Sequence, residues 1–367
     1  MLKSKKLLVA AALMTGLFSF GALDHVDAAT TAKGGHNMIK AEKLKLETKW
    51  DKVFAKSDKV NHRKVTFVNR FGITLAADVY EPKTIAGKLP AIALCGAFGA
   101  VKEQSSGLYA QQMAERGFIT VAFDPSFTGE SGGTPRYVAS PDINTEDFSA
   151  AVDWLSVQPN VDPDRIGIIG ICGWGGLALN AAAIDTRIKA TAVMTMYDMS
   201  RVLANGYFDY DKTEAQLESE RQANRKALNA QRTADYKAGE YKRAGGVVDP
   251  LPSDAPQFVK DYYAYYKTPR GYHERSLNSN DGWNATTALA FMNTKQLSYI
   301  DEIETPVLIV HGEKAHSRYF SEDAFKRLKC ENKELLIILG ASHTDLYDQL
   351  DKIPFGRLEK FFKGNLK

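Results

Sequence analysis

The chain has 367 residues, 44% hydrophobic and 25% charged, with 47 Lys and Arg against 44 Asp and Glu for a formal net charge of +3. That near balance, with no basic cluster interleaved with aromatics, argues against a nucleic-acid partner, and 3 cysteines are too few for a disulfide scaffold. The length suits one large α/β domain carrying an insertion.

At the start of the chain, Lys3, Lys5 and Lys6 precede an apolar stretch from Leu7 to Leu23, and Val26-Asp27-Ala28 offers a small-x-Ala cleavage site. This pattern predicts an export signal over 1–28 and a periplasmic or secreted mature protein. The apolar stretch is too short and interrupted for a membrane span, so no stable membrane insertion is expected. Residues 29–58 are Lys- and Ala-rich and read as a tether with at most one surface helix.

Next, RKVTFVNRFGITLAADVYEP alternates apolar and polar residues around Phe71-Gly72, which predicts a hairpin. Six continuously apolar runs follow: LPAIALCG, FITVAFD, RIGIIGI, KATAVMTMY, TPVLIVHG and ELLIILG. Helical segments separate them, namely SGLYAQQMAERG, NTEDFSAAVDWLSVQ, the stretch after Cys172, and SEDAFKRLK. Buried strands alternating with helices predict a mostly parallel α/β sheet covered by helices on both faces. The rhythm breaks between roughly 200 and 300, so the expected core is 59–199 plus 301–367 and the expected lid insertion is 200–300. Within that insertion, 212–243 is charge-rich and helical, and GGVVDPLPSDAP is a loop. Phe258, Tyr262, Tyr265 and Tyr266 then share one helix face. That face either packs the lid onto the core or forms a wall of the substrate site.

The chemistry concentrates at RIGIIGICGWGGLALNAAA. A strand, a glycine-cramped turn and a helix with Cys172 at the corner make a nucleophile elbow, in which small neighbours permit a strained corner residue. The positive end of the following helix would favour thiolate over thiol. A rival, Gly129-Glu130-Ser131-Gly132-Gly133, fits G-x-S-x-G by letter, but TPRYVASPDI follows it with two prolines and no helical period.

A nucleophile of this kind needs a base, an acid to orient the base, and donors for an oxyanion. His343, in GASHTDLYD after the last apolar run, is the best base. His311 reads as packed and His316 as too early in chain order. His25 and His36 fall in the signal and tether, and His62 and His273 lack a strand-end setting. For the acid, Glu313 and Asp198 are the main rivals, with Asp345 or no acid remaining open. The oxyanion donors expected are the amides of Gly173 and Ala97. Phe98, Trp174, Tyr262 and Tyr266 are the candidate substrate contacts. No His, Asp or Glu set has metal-ligand spacing.

Together the elbow GICGWGG, the GAFG loop, HGEKAHS and the terminal SHTDLYD resemble the α/β-hydrolase superfamily, and within it the dienelactone-hydrolase-like branch. The resemblance runs from about residue 60 to the end, apart from the insertion. It implies a Cys–His–acid triad, no cofactor, and hydrolysis of a small-molecule ester or lactone through an acyl-enzyme. The chain departs from that plan in several places. Ala315 stands where the family has its Asp, and Gly96 where the family has a Glu beside the resting cysteine. The paired glycines after Cys172 come one residue later, and the insertion is absent from the compact lactonases. The alternatives are a peptidase or amidase on the same fold, and a non-catalytic binding protein with a degenerate site.

Overall fold

In the computed structural model, which describes residues 41–367, eight strands form one sheet. They are β1 (Val60–Val68), β2 (Thr74–Pro82), β3 (Leu89–Cys95), β4 (Ile119–Phe123), β5 (Val161–Ile171), β6 (Ile188–Met194), β7 (Val307–Gly312) and β8 (Lys333–Ile338). The spatial order is β1-β2-β4-β3-β5-β6-β7-β8. The pairs β1–β2 and β2–β4 are antiparallel, and every later pair is parallel. The expected hairpin is present: the Asn69 carboxamide oxygen accepts from the amides of Phe71 and Ile73, closing the turn.

Ten α-helices connect or flank the strands. They are α1 (Ser105–Ala114), α2 (Pro141–Ser156), α3 (Gly173–Ile184), α4 (Met199–Asn205), α5 (Glu214–Ala238), α6 (Gln257–Tyr266), α7 (Ala288–Met292), α8 (Arg318–Arg327), α9 (Asp345–Asp348) and α10 (Phe355–Asn365). Tyr109 and Met113 of α1 pack with Leu358 and Phe362 of α10 on one face. Phe148 and Val152 of α2 pack with Leu177 and Ala178 of α3 on the other. The middle strands are therefore buried on both sides, which is why they read as unbroken apolar runs. Helix α2 begins earlier than the sequence suggested. Pro141 occupies its first turn, where no amide is needed, and Ser140 caps it by accepting from the Ile143 amide.

The long α5 buries only Leu217 and Asp235, so its packing contributes little. Local terms hold it instead: a capping box between Thr213 and Gln216, Glu214 in the first turn and Lys237 in the last. The expected signal over 1–28, with His25 and His36, lies outside the described residues. The part of the expected tether that is described, 41–58, forms no helix. It is strapped to the core: Trp50 and Phe54 pack against the α1 face, and Lys52 is buried 3.0 Å from Asp78. Among the described residues, no helix is long and apolar enough to cross a membrane.

Candidate active site

Cys172 stands between the end of β5 and the start of α3 with φ 57° and ψ −123°. A non-glycine residue in that region carries backbone strain, which the surroundings must impose. Here the Cys172 amide donates to Met194, and its carbonyl accepts from Gly175 and Tyr197 at 2.9 and 3.0 Å. Two glycines are required by close approach: a side chain at Gly170 would overlap the Trp174 carbonyl, and one at Gly176 the Tyr197 carbonyl. The thiol is 5% exposed. The backbone N–H groups of Phe98 and Gly173 hydrogen-bond toward its sulfur. The β3–α1 loop thus presents the amide of Phe98, one residue beyond the expected Ala97. Burial pushes the thiol up to about 11, against the hydrogen bonds to it. Desolvation outweighs the donors directed toward the sulfur and favours the thiol over the expected thiolate.

His343 follows β8 and is 2% exposed. Its Nε2 lies 3.1 Å from the Tyr347 hydroxyl, which lines the same cavity as Cys172 and draws the thiol's titration downward. Its Nδ1 lies 2.6 Å from Ser317 Oγ and 2.8 Å from Thr195 Oγ1. Burial, with smaller contributions from His316 and His311, holds the ring well below the usual histidine range.

None of the three carboxylates weighed as orienting acid contacts this ring, and each has another partner. Glu313 is exposed and accepts from the Gly340 amide at 2.8 Å. Asp198 caps α4 by accepting from the Arg201 amide and the Ser200 hydroxyl. Asp345 accepts from the Ser342 amide and Lys352. With Ala315 short and apolar, the position facing Nδ1 passes to Ser317 two residues on. His311 and His316, set aside as bases, belong to the surroundings. His311 Nε2 is 3.0 Å from Ser317 Oγ, and His316 Nε2 is 2.7 Å from the Tyr197 hydroxyl. His62 and His273 bond Asp78 and the Asp51 carbonyl elsewhere.

Cys172 opens on a cavity of about 320 Å³ lined by Phe98, Tyr197, Met199, Tyr207, Tyr262, Trp283 and their neighbours. Of the candidate substrate contacts, Phe98 and Tyr262 line this cavity. Trp174 and Tyr266 do not. Trp174 faces the α3 side of the core, and Tyr266 packs behind Tyr347 with ring centroids 6.2 Å apart. The aromatic face of α6 therefore divides, with Tyr265 and Tyr266 packed inward and Tyr262 on the cavity. The stretch after α6 clamps the β3–α1 loop: Asn278 Nδ2 donates to the Phe98 carbonyl at 2.7 Å, and the Ser276 hydroxyl to that of Gly99 at 3.0 Å. At Gly99, φ is +87°, and a side chain there would collide with Asn278.

Ser131 is placed far from this chemistry in role. It is 2% exposed, donates to the Asp124 carbonyl and accepts from the Ala76 amide. Near it, Glu103, Asp124 and Glu130 converge closely enough to hold a metal ion. The ammonium of the fully buried Lys102 occupies that position, at 2.7, 2.8 and 2.6 Å from the three. This network ties the end of the oxyanion loop to the β4–α2 loop.

Three participants were not foreseen: Thr195, Ser317 and Tyr347. Tyr347 had a signal, because it follows His343 by four residues in SHTDLYD and one helical turn brings such pairs together. Thr195 and Ser317 had none, since hydroxyls just after a strand or just before a helix are common.

A mostly parallel eight-stranded sheet with a strained turn after β5 and a histidine after β8 has the architecture of the α/β-hydrolase class. The profile of the X-Pro dipeptidyl-peptidase (S15) family matches residues 72–345, and the chain belongs to that family. It is 57% identical over 345 residues to protein PA2218 of Pseudomonas aeruginosa, covering 92% of this chain and 90% of that one. The crystal structure of PA2218 superposes with a TM-score of 0.84, covering 88% of this chain and 99% of that one. Protein YcjY of Escherichia coli is 36% identical over 298 residues, 78% of this chain and 93% of that one. The structure of DcsB complexed with its substrate analogue shares the fold at a TM-score of 0.67 and 22% identity, over 83% of this chain and all of that one.

Proposed function

We propose that this hydrolase cleaves a small carboxylic ester or lactone through a Cys172 acyl-enzyme, the reaction of the dienelactone-hydrolase-like branch. The observation that carries the reading is the placement of the Cys172 sulfur between two backbone amides and a Tyr347–His343 pair, at the floor of an apolar cavity. In the first step, the thiol proton passes to the Tyr347 oxygen as the Tyr347 proton passes to His343 Nε2. The sulfur adds to the ester carbonyl. The amides of Phe98 and Gly173 hold the developing oxyanion, each donor contributing about 3 kcal/mol to the transition state. His343 then returns its proton by the same route to the departing alkoxide, leaving a thioester on Cys172. Water, deprotonated by His343, releases the acid and restores the thiol.

The family membership favours a second reading, a peptidase or amidase. A site built for dipeptide release needs a carboxylate to hold the free amino terminus, and no acidic side chain lines this cavity. The lining suits an apolar or ring-bearing acyl or alcohol group instead. The basic start and small-x-Ala site place the mature enzyme outside the cytoplasm in this proposal.

The test is hydrolysis of nitrophenyl esters of increasing acyl length, beside X-Pro nitroanilides, with Cys172→Ala run in parallel. Ester turnover that disappears in the variant supports the proposal. Turnover confined to the anilides supports the peptidase reading. Equal ester turnover in both proteins refutes the assigned nucleophile. An inactive wild type leaves the non-catalytic binding protein in its place.

A further inference from the structure

We infer that Ser317 and Thr195, backed by His311, replace the orienting carboxylate of the triad and hold His343 with its proton on Nδ1. The inference deepens the assignment of His343 as base and rests on it. Four side chains make the arrangement. His343 Nδ1 lies 2.6 Å from Ser317 Oγ, Ser317 Oγ lies 3.0 Å from His311 Nε2, and His311 Nδ1 lies 2.6 Å from Ser321 Oγ. Donation can run through all four in either direction, and the direction assigned here is the one that leaves Nε2 free to accept, as the base role of His343 requires. His343 Nδ1–H donates to Ser317, the Ser317 hydroxyl donates to His311 Nε2, and His311 Nδ1–H donates to Ser321. That direction leaves His343 Nε2 as an acceptor facing Tyr347, which is the form a base must have. His311, Ser317 and Ser321 are all fully buried, so water does not compete for these groups.

Thr195 supplies an independent observation. It has φ 46°, a region that β-branched residues rarely enter, and its fully buried hydroxyl reaches Nδ1 at 2.8 Å. Strain of that kind persists only where surrounding structure imposes it and often marks a working position. Around the His343 ring stand Tyr197 and Thr195 from the end of β6, Tyr262 from α6, His311 from β7, His316 and Ser317 before α8, and Tyr347 from α9. None is a carboxylate. Hydroxyl oxygens orient the ring but stabilise its protonated form less than a carboxylate does. His343 thereby keeps its acceptor nitrogen at acid pH, where a carboxylate-paired histidine would already carry a second proton.

The experiment is a nitrogen-15 histidine titration of the full chain, with His343 assigned by His343→Gln. The expected result is a neutral His343 that stays protonated on Nδ1 as the pH falls through and below the ordinary histidine range. Ser317→Asp should raise the midpoint by about 1–3 units and move the acid limb of kcat/KM upward by the same amount. Ser317→Ala with Thr195→Val should abolish the preference for Nδ1 and lower kcat about 10–100-fold, with KM little changed. A wild-type ring protonated on Nε2 overturns the inference. So does a double variant with unaltered tautomer and pH profile. The ring is read without substrate, so failure of the esterase assay and failure of this inference are separate results. The wild-type titration and Ser317→Asp stand even if the double variant does not fold.

Discussion

The Tyr347 hydroxyl lies 3.1 Å from His343 Nε2 and shares the cavity wall with Cys172, where it draws the thiol's titration downward, so the phenol is placed to link imidazole and thiol. Tyr347→Phe removes that link and leaves a buried ring nitrogen without a partner. The expected loss in kcat/KM is about 10²–10³-fold, together with about 1–3 kcal/mol of stability. Ester kinetics and urea unfolding measure both. Full activity in the variant would show that histidine and cysteine communicate directly.

The carboxylates nearest in sequence are expected to be dispensable. Glu313 is exposed and bonded to the Gly340 amide, and Asp198 caps α4. Glu313→Gln and Asp198→Asn should each leave kcat/KM within about twofold, because Asn also caps well. Asp198→Ala should cost about 1 kcal/mol in stability with the same activity. A hundredfold loss of activity in either conservative variant would identify an acid that the resting geometry does not display.

Burial raises the Cys172 thiol to about 11. Its alkylation by iodoacetamide, followed by peptide mass mapping, should therefore accelerate about tenfold per pH unit from neutrality upward, in proportion to the thiolate fraction. A plateau below about pH 8 would instead reveal a preformed thiolate–imidazolium pair.

Stability should decline in acid through the buried histidines. His311 is lowered to about 3 and His343 well below 6.5, both chiefly by burial. Between the unfolded value and those lowered ones, the unfolded chain binds protons that the folded chain does not. The folded state therefore has full histidine-linked stability above 6.5 and loses it as pH falls. Each ring contributes a slope of up to about 1.4 kcal/mol per pH unit in that window. Urea midpoints measured across that range check the slope, and His311→Gln should flatten it.

The second glycine-flanked serine and its neighbouring charges should prove structural. Ser131→Ala removes two hydrogen bonds to main chain and should cost about 1–3 kcal/mol with activity unchanged. Lys102→Met leaves the fully buried Asp124 without its cation, while Glu103 and Glu130 keep Arg275 and Lys64, and should cost about 3–5 kcal/mol. Loss of turnover in Ser131→Ala without loss of stability would move the nucleophile.

The strand runs, the hairpin at Phe71-Gly72, the elbow at Cys172 and the strand-end position of His343 were legible along the chain. Each rests on local rules: apolar continuity for doubly buried strands, turn chemistry at Asn69, and glycines where backbones approach closely. The division of the α6 aromatics was not legible, because a helical stripe shows one face and not what that face meets. The helix start at Pro141 was missed because a proline was read as a breaker where it occupies a first turn. Most of all, the environment of the two reactive groups belonged to tertiary structure. The protonation of Cys172 depends chiefly on burial, which residue order along the chain does not show. The partners of His343 come from three separate segments, β6, the β7–α8 loop and α9. Hydrogen bonds over 148, 26 and 4 positions of sequence join them to one ring. Residue order along the chain placed Cys172 and His343 at strand ends; only tertiary packing decided which hydroxyls surround the histidine, with Tyr347 at Nε2 and Ser317 and Thr195 at Nδ1.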